Sequence, residues 1–287
     1  MKFAVLGGGM VGTCYAQAFL DHGHQLVGLC DVQPSASLTQ TVAAAGAPLF
    51  TEPGAWLKEA DVVISAVFGT VARTLFEASG PHLRSGALYV DMTTADPAEM
   101  KACQAMARPA GIAFVDVAIT GAVNLGGRKT PLLVAGEQAA TVQALFAQFG
   151  GSVRVVGTEP GDAASLKLLR SIYTKGMEAL AVECLVTAET MGLREPLYAV
   201  LQDIDETPLR SLMESMVRTH IPHSARRRNE VAEAQLQMVH HGLTPLVSPA
   251  VENLFAATAK AQAAQPFTGS STEEAIAWLR EQVLATR

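Results

Sequence analysis

Short apolar runs, rich in valine, isoleucine and leucine, alternate through the first half of the chain with stretches whose apolar positions recur at helical spacing. Phe3–Leu6 reads as a strand. Met10–His22 reads as a helix with Val11, Ala16, Ala18, Phe19 and Leu20 on its apolar side. Gln25–Cys30 is a second strand and ends at Asp31. Further strands are predicted at Val62–Val67, Leu88–Asp91, Ala113–Val117, Leu132–Ala135 and Val153–Val156, with helical segments between most of them. This alternation predicts a parallel, doubly wound α/β sheet.

The texture changes after Gly157. Thr158-Glu159-Pro160-Gly161 is a turn, and strand-like runs stop. Asp162–Met191 predicts one long helix, broken at Gly192. Only helical stretches follow, punctuated by Pro196, Pro208, Pro222, Gly242 with Pro245, Pro249, and Pro266 with Gly269. The expected organisation is an α/β domain over residues 1–158 and an all-helical domain over 159–287.

Composition narrows the class. A length of 287 residues suits one large domain or two ordinary ones, and an apolar fraction of 49% supplies a sizeable core. A formal net charge of −6 argues against a general nucleic-acid binder while leaving room for a local basic site. Cys14, Cys30, Cys103 and Cys184 form no CxxC pair, so free, mostly buried thiols in a reducing compartment are expected. The seven histidines show no ligand spacing, and no metal site is expected. No apolar run approaches the roughly 20 residues of a membrane span, and Met1–Leu6 is too short for a signal sequence. The expectation is a cytoplasmic protein with a small-molecule substrate and no nucleic-acid or membrane partner.

Gly7-Gly8-Gly9-Met10-Val11-Gly12 holds the spacing G-x-G-x-x-G. It follows a strand, opens a helix and is followed by a second strand, the context that marks a Rossmann dinucleotide site. Gly7 permits the tight turn, Gly9 lets the backbone approach a pyrophosphate, and Gly12 lets the helix pack on the strand. The first helical N–H groups, at Met10 and Val11, face the phosphates. Asp31 lies about 20 residues on, where a carboxylate accepts from the ribose hydroxyls of NAD and repels the extra phosphate of NADP. Val32-Gln33-Pro34-Ser35 offers no cation for that phosphate, so NAD is favoured, with NADP the alternative.

Four segments together resemble the β-hydroxyacid dehydrogenase family, which includes 3-hydroxyisobutyrate and 6-phosphogluconate dehydrogenases. They are Gly7–Gly12, Val90-Asp91-Met92-Thr93-Thr94-Ala95-Asp96-Pro97, Asp116-Val117-Ala118-Ile119-Thr120-Gly121-Ala122, and Gly161-Asp162-Ala163-Ala164-Ser165-Leu166-Lys167. Two departures stand out. Ser171 occupies the place of the family's Asn, and Thr120 that of its Ser. The C-terminal half is similar to a divergent subgroup whose helical domain has no known function. The resemblance implies a nicotinamide-dependent oxidoreductase acting on a small, polar, anionic β-hydroxy acid or its keto counterpart. An imine reductase of the same architecture and a non-catalytic dinucleotide-binding protein are the alternatives.

Hydride transfer needs a group that moves a proton, and Lys167 is the candidate general acid and base. Ser171 and Lys175 follow at i+4 and i+8, near the same helix face. Ser171 is expected to orient Lys167 or the substrate. Lys175 is either a second cationic contact or a solvated lysine. The resemblance implies that Thr120, Gly121 and Ala122 hold the substrate anion, with a hydroxyl and backbone N–H groups suited to it. Thr94 (or its neighbour Thr93) is expected at the nicotinamide ribose or the substrate, and Ala66, Val67 and Phe68 at the adenosine and ribose. Arg226-Arg227-Arg228 is either a charged helix face, supported by Glu230 and Glu233, or an anion clamp through Arg228. A helical second domain with an apolar face points to a homodimer.

Overall fold

The apolar runs of the first half assemble into one eight-stranded sheet. In the computed structural model, which describes residues 1–286, the chain runs β1 (Lys2–Leu6), α1 (Met10–Asp21), β2 (Gln25–Cys30), α2 (Ala36–Ala44), β3 (Leu49–Phe50) and β4 (Val62–Ser65). It continues through α3 (Ala72–Ser79), β5 (Leu88–Asp91), α4 (Pro97–Ala107), β6 (Ala113–Ile119), α5 (Val123–Gly126), β7 (Leu132–Ala135), α6 (Ala139–Ala147) and β8 (Val153–Gly157). The strand order is β3-β2-β1-β4-β5-β6-β7-β8.

Helices cover both faces of this sheet. Its central strands are therefore buried on both sides and read as continuous apolar runs. Phe3, Val5, Tyr15, Phe19, Ile64, Val90 and Phe146 pack on one side. Ala4, Leu6, Phe76, Tyr89, Met100 and Phe114 pack on the other.

Two differences from the predicted sheet have simple causes. β7 runs antiparallel to β6, and β8 runs parallel to β7. A parallel crossover needs a dozen or more residues and normally a covering helix. Here the link between β6 and β7 contains only the one-turn α5 and a 3₁₀ turn, and returns the chain at the same rim. β3 is two residues long, too short for periodicity to reveal.

Beyond the sheet the chain is helical: α7 (Asp162–Thr190), α8 (Arg194–Val200), α9 (Gln202–Glu206), α10 (Leu209–His240), α11 (Ser248–Ala264) and α12 (Thr272–Leu279). Two compact units result, Met1–Ile172 and Tyr173–Arg287. Strands end at Gly157, beside the expected boundary at 158, but the packing boundary falls inside α7. Ala163 and Ala164 are fully buried against the sheet, and this keeps the helix start with the first unit.

In the second unit α10 lies along α11. Pro222 does not end a helix, as its position in the sequence suggested, but sits inside α10. It removes one donor from the ladder, while the neighbouring Ile221 and Ser224 are buried and hold the segment in place. The Glu183 carboxylate accepts from the N–H groups of Leu246, Val247 and Ser248 at 2.7, 2.8 and 2.9 Å, tying α7 to the start of α11. Burial alone would raise the Glu183 pKa; these donors bring it down to about 2. Ser271 and Glu274 form a capping box on α12. All four cysteines are free; Cys30 and Cys103 are buried, Cys14 is half-buried and Cys184 is exposed. Among the described residues no helix is long and apolar enough to cross a membrane.

Candidate active site

The glycine-rich turn joins β1 to α1 under tight steric control. Gly7 adopts φ +97°, and a Cβ there would lie 2.5 Å from the Ala66 carbonyl oxygen. At Gly12 a Cβ would lie 1.8 Å from the Gly7 carbonyl, so only glycine lets α1 approach the turn. A Cβ on Gly9 would meet nothing within 4 Å. That open space fronts the start of α1, whose Gly9 cap supplies no side-chain acceptor to the first-turn N–H groups. The shape and the free donors fit a pyrophosphate. Met10 projects into solvent and Val11 is half-buried.

Asp31 ends its strand beside this turn. Its Oδ2 accepts from the Gly8 N–H at 2.7 Å and its Oδ1 from the Gln33 N–H at 2.8 Å. The carboxylate is thereby fixed at the edge of the glycine turn, with lone pairs left to accept from a ribose.

Ala66, Val67 and Phe68 follow β4, the strand next to β1. Val67 touches the Gly7 turn, since a Cβ on Gly7 would lie 2.8 Å from its Cγ1. Phe68 is 85% exposed. It lines a depression of about 860 Å³ with Thr70, Arg73, Glu77 and Thr94. Thr94, just after β5, has φ +55°, the one positive φ outside glycine among the described residues. Such backbone is uncommon for a β-branched residue and costs about 1 kcal/mol or more.

Thr94 Oγ1 accepts a hydrogen bond of 2.8 Å from Lys167 Nζ. Lys167 stands on the second turn of α7 and is half-buried. Burial pulls its ammonium below the ordinary lysine range; the Asp116 carboxylate opposes that shift and Arg170 adds to it. The amine is thus held at the rim formed by the carboxyl ends of the parallel strands, where open α/β sheets take their ligands.

Two aspartates that sequence reasoning did not assign organise this contact. Ser65, Asp91 and Asp116 are register partners on β4, β5 and β6, and all three are buried. Asp116 Oδ2 accepts from the N–H groups of Gly161 and Ala164, both at 2.9 Å, and so anchors the helix that carries Lys167. Asp91 Oδ1 accepts from the Thr93 N–H at 2.9 Å and from the Thr93 hydroxyl, and so shapes the loop that carries Thr94. Asp91 Oδ2 and Asp116 Oδ1 have no partner. Burial pushes the Asp91 carboxyl up to about 6 against the pull of Thr93, and raises Asp116 against its backbone donors. The available signal was a carboxylate at the end of β5 and another in the middle of β6, each within an otherwise apolar run.

The other expected residues divide. Thr120 lies at the same rim; its N–H and hydroxyl both donate to the Pro131 carbonyl, at 2.9 and 3.1 Å. Gly121 and Ala122 are exposed, and a Cβ on Gly121 would press on Thr130. Ser171 does not orient the Lys167 amine: its hydroxyl donates to the Lys167 backbone carbonyl at 3.0 Å, the usual back-bond of a mid-helix serine. Lys175 belongs to the second unit, where it is exposed and paired with Glu178 at 2.5 Å. Arg226 pairs with Glu230, Arg227 donates to Thr219, and Arg228 pairs with Glu252 at 3.3 Å. These three form a charged, paired helix face. No His/Cys/Asp/Glu group suited to a metal occurs among the described residues.

Comparison with known proteins agrees with this geometry. Residues 2–157 match the NAD-binding domain of 6-phosphogluconate dehydrogenase, and residues 188–258 match a domain of unknown function, DUF1932. An uncharacterized 28.5 kDa protein of Methanothermus fervidus is 28% identical over 89% of this chain and 98% of its own length. A conserved protein of unknown function, described as structurally similar to 3-hydroxyacid dehydrogenases, is 27% identical with a TM-score of 0.62, over 92% of this chain and 98% of that one. An imine reductase of Streptomyces aurantiacus superposes with a TM-score of 0.75 at 17% identity, over 97% of this chain and 99% of that one, and shares the fold. With more than half its length matched, a glycine turn that fits a dinucleotide and the expected sheet around it, this chain belongs to the family that carries the NAD-binding domain of 6-phosphogluconate dehydrogenase.

Proposed function

We propose that the protein is a nicotinamide-dependent dehydrogenase or reductase of small, polar, anionic β-hydroxy acids or their keto counterparts, with Lys167 as general acid and base. The observation that carries this reading is the half-buried Lys167 amine, held 2.8 Å from Thr94 Oγ1 at the sheet rim. Gly7, Gly9, Met10, Val11 and Gly12 cradle the pyrophosphate, and Ala66, Val67, Phe68 and Thr94 border the rest of the cofactor. The bound nicotinamide supplies or accepts the hydride. Lys167 gives a proton to the carbonyl oxygen in reduction and takes it back in oxidation. Its lowered pKa eases the loss of that proton. Thr120, Gly121 and Ala122 receive the substrate carboxylate.

Asp31 favours NAD over NADP, because a fixed carboxylate repels a 2′-phosphate and no cation lies in Val32–Ser35. The exposed apolar side chains of the second unit support a homodimer.

The test is turnover, followed at the nicotinamide absorbance with both cofactors, across hydroxy acids, sugar acids, ketones and cyclic imines. Lys167→Ala is expected to cut kcat by about 10²–10⁴-fold, with the Kd for NADH retained. Ordinary turnover by that variant would remove Lys167 from the mechanism. Turnover of imines alone would replace the substrate class, and tight NADH binding with no turnover would make the protein a dinucleotide sensor. Asp31→Ala is expected to relax the cofactor preference.

A further inference from the structure

Arg154 differs from four other arginines of the sheet unit. Arg73, Arg84, Arg108 and Arg128 are each paired with a carboxylate. Arg154, on β8, makes no ion pair among the described residues and lies in a cleft without a carboxylate. It lines a cleft of about 340 Å³ together with Thr120, Ser152, Arg170 and the apolar Leu132 and Leu166. Two guanidinium groups and two hydroxyl-bearing residues thus surround one space, and no carboxylate lines it.

The fold makes this juxtaposition. β6 ends at Ile119, opposite Leu132, and Leu132 is opposite Val153. The reversal of β7 therefore brings the end of β6 and the starts of β7 and β8 to the same rim. α7 begins at the level of Asp116, where Gly161 and Ala164 are held, and runs to that rim. Lys167 and Arg170 are three residues apart on one helix, with Cβ atoms roughly 5–6 Å apart. Arg170 is close enough for its charge to act on Lys167.

We propose that this cleft is an oxyanion subsite, in which Arg154 and Arg170 hold a carboxylate or phosphate at the end of the substrate away from the carbonyl that meets Lys167. The placement of the substrate rests on the assignment of Lys167 above; the binding of the anion does not. Planar forks of N–H donors match the oxygens of either anion. Leu132 and Leu166 supply the apolar floor for the carbon chain between the two polar ends. The substrate class becomes narrower: a hydroxy or keto acid with a second anionic group, either a dicarboxylate or a phosphorylated acid.

The full-length chain, ¹⁵N-labelled, is titrated with inorganic phosphate, with malonate and with sodium chloride at matched ionic strength, while the arginine Nε–Hε signals are followed. Saturable shifts with phosphate or malonate and none with chloride are expected; the ion that binds tighter tells phosphorylated from dicarboxylate substrates. Arg154→Gln and, separately, Arg170→Gln should each weaken that binding about tenfold or more. Equal response to chloride, or an affinity unchanged in both variants, overturns the subsite. In turnover, Arg154→Gln should raise KM about tenfold for a dianionic substrate and spare its monoester. Anion binding that depends on Arg154, in a protein whose turnover ignores Lys167, would leave the subsite standing and discard the lysine mechanism. Turnover that needs Lys167, with anion binding indifferent to both arginines, would discard the subsite alone.

Discussion

The two units of this chain spend their apolar residues in opposite ways. In the sheet unit the apolar side chains of the strands and of the helices packed on them are hidden: Val5, Phe19, Ile64, Val90 and Val115 are fully buried. In the helical unit Val182, Leu236 and Val239 are each more than half exposed, and few side chains are fully buried. A strand between two neighbours and under two helical layers has no exposed side, so its apolar residues need no partner beyond the unit. The helices of the second unit are held at their ends by polar groups, such as Glu183 and the Ser271–Glu274 box, while much of their apolar surface remains open. The sheet unit is self-sufficient in its core, and the helical unit leaves much of its apolar surface uncovered.

Four substitutions sharpen this contrast, in descending order of effect. Phe19→Ala removes a fully buried ring from the sheet core and should cost about 3–5 kcal/mol in urea denaturation. A cost below 1 kcal/mol would mean that the sheet core is looser than its packing. Asp91→Asn tests the buried carboxylates. A folded-state pKa of about 6, above the ordinary value of 3.8, means that the folded chain holds this proton more tightly. Stability should therefore fall by about 3 kcal/mol as pH rises from near 4 through 6. The variant should lose that slope, and a slope equal to the wild type's would dismiss the assignment.

Glu183→Ala should destabilise the helical unit by about 2 kcal/mol at pH 7, because it strips an ionised acceptor from three backbone donors. Glu183 has a depressed folded pKa, so its contribution is complete above pH 4.5 and fades as pH falls towards 2. The difference between wild type and variant should shrink over that window. Val182→Ser should alter the stability of an isolated protomer by no more than about 0.5 kcal/mol. If a second copy covers this face, sedimentation at micromolar concentration should show the variant shifted towards monomer.

Legibility from sequence followed the same divide. Seven of the eight strands could be read because apolar runs bounded by glycine and aspartate leave a local signal, and the extent of α7 was readable from its periodicity and Gly192. Lys167 and Thr94 were nameable from their motifs, although 73 residues separate them and only the fold shows their contact. Asp91 and Asp116 were quoted within motifs but not paired, since pairing depends on strand register, which no local pattern carries. The antiparallel β7 was hidden for the same reason. The back-bond of Ser171 was not legible, because helical spacing does not show whether a hydroxyl turns outward or back onto its own helix. Arg154 gave no signal, since an unpaired arginine looks in sequence like a paired one.

The turn Thr158–Gly161, fastened through Gly161 to Asp116, sets the rotational phase of the first turns of α7. An α-helix advances about 100° per residue. One residue inserted in this turn would swing the amine off Thr94 and the guanidinium of Arg170 out of its cleft in a single movement. A four-residue turn between the edge strand β8 and a long helix thereby acts as the timing gear of the site, more sensitive to length than to composition.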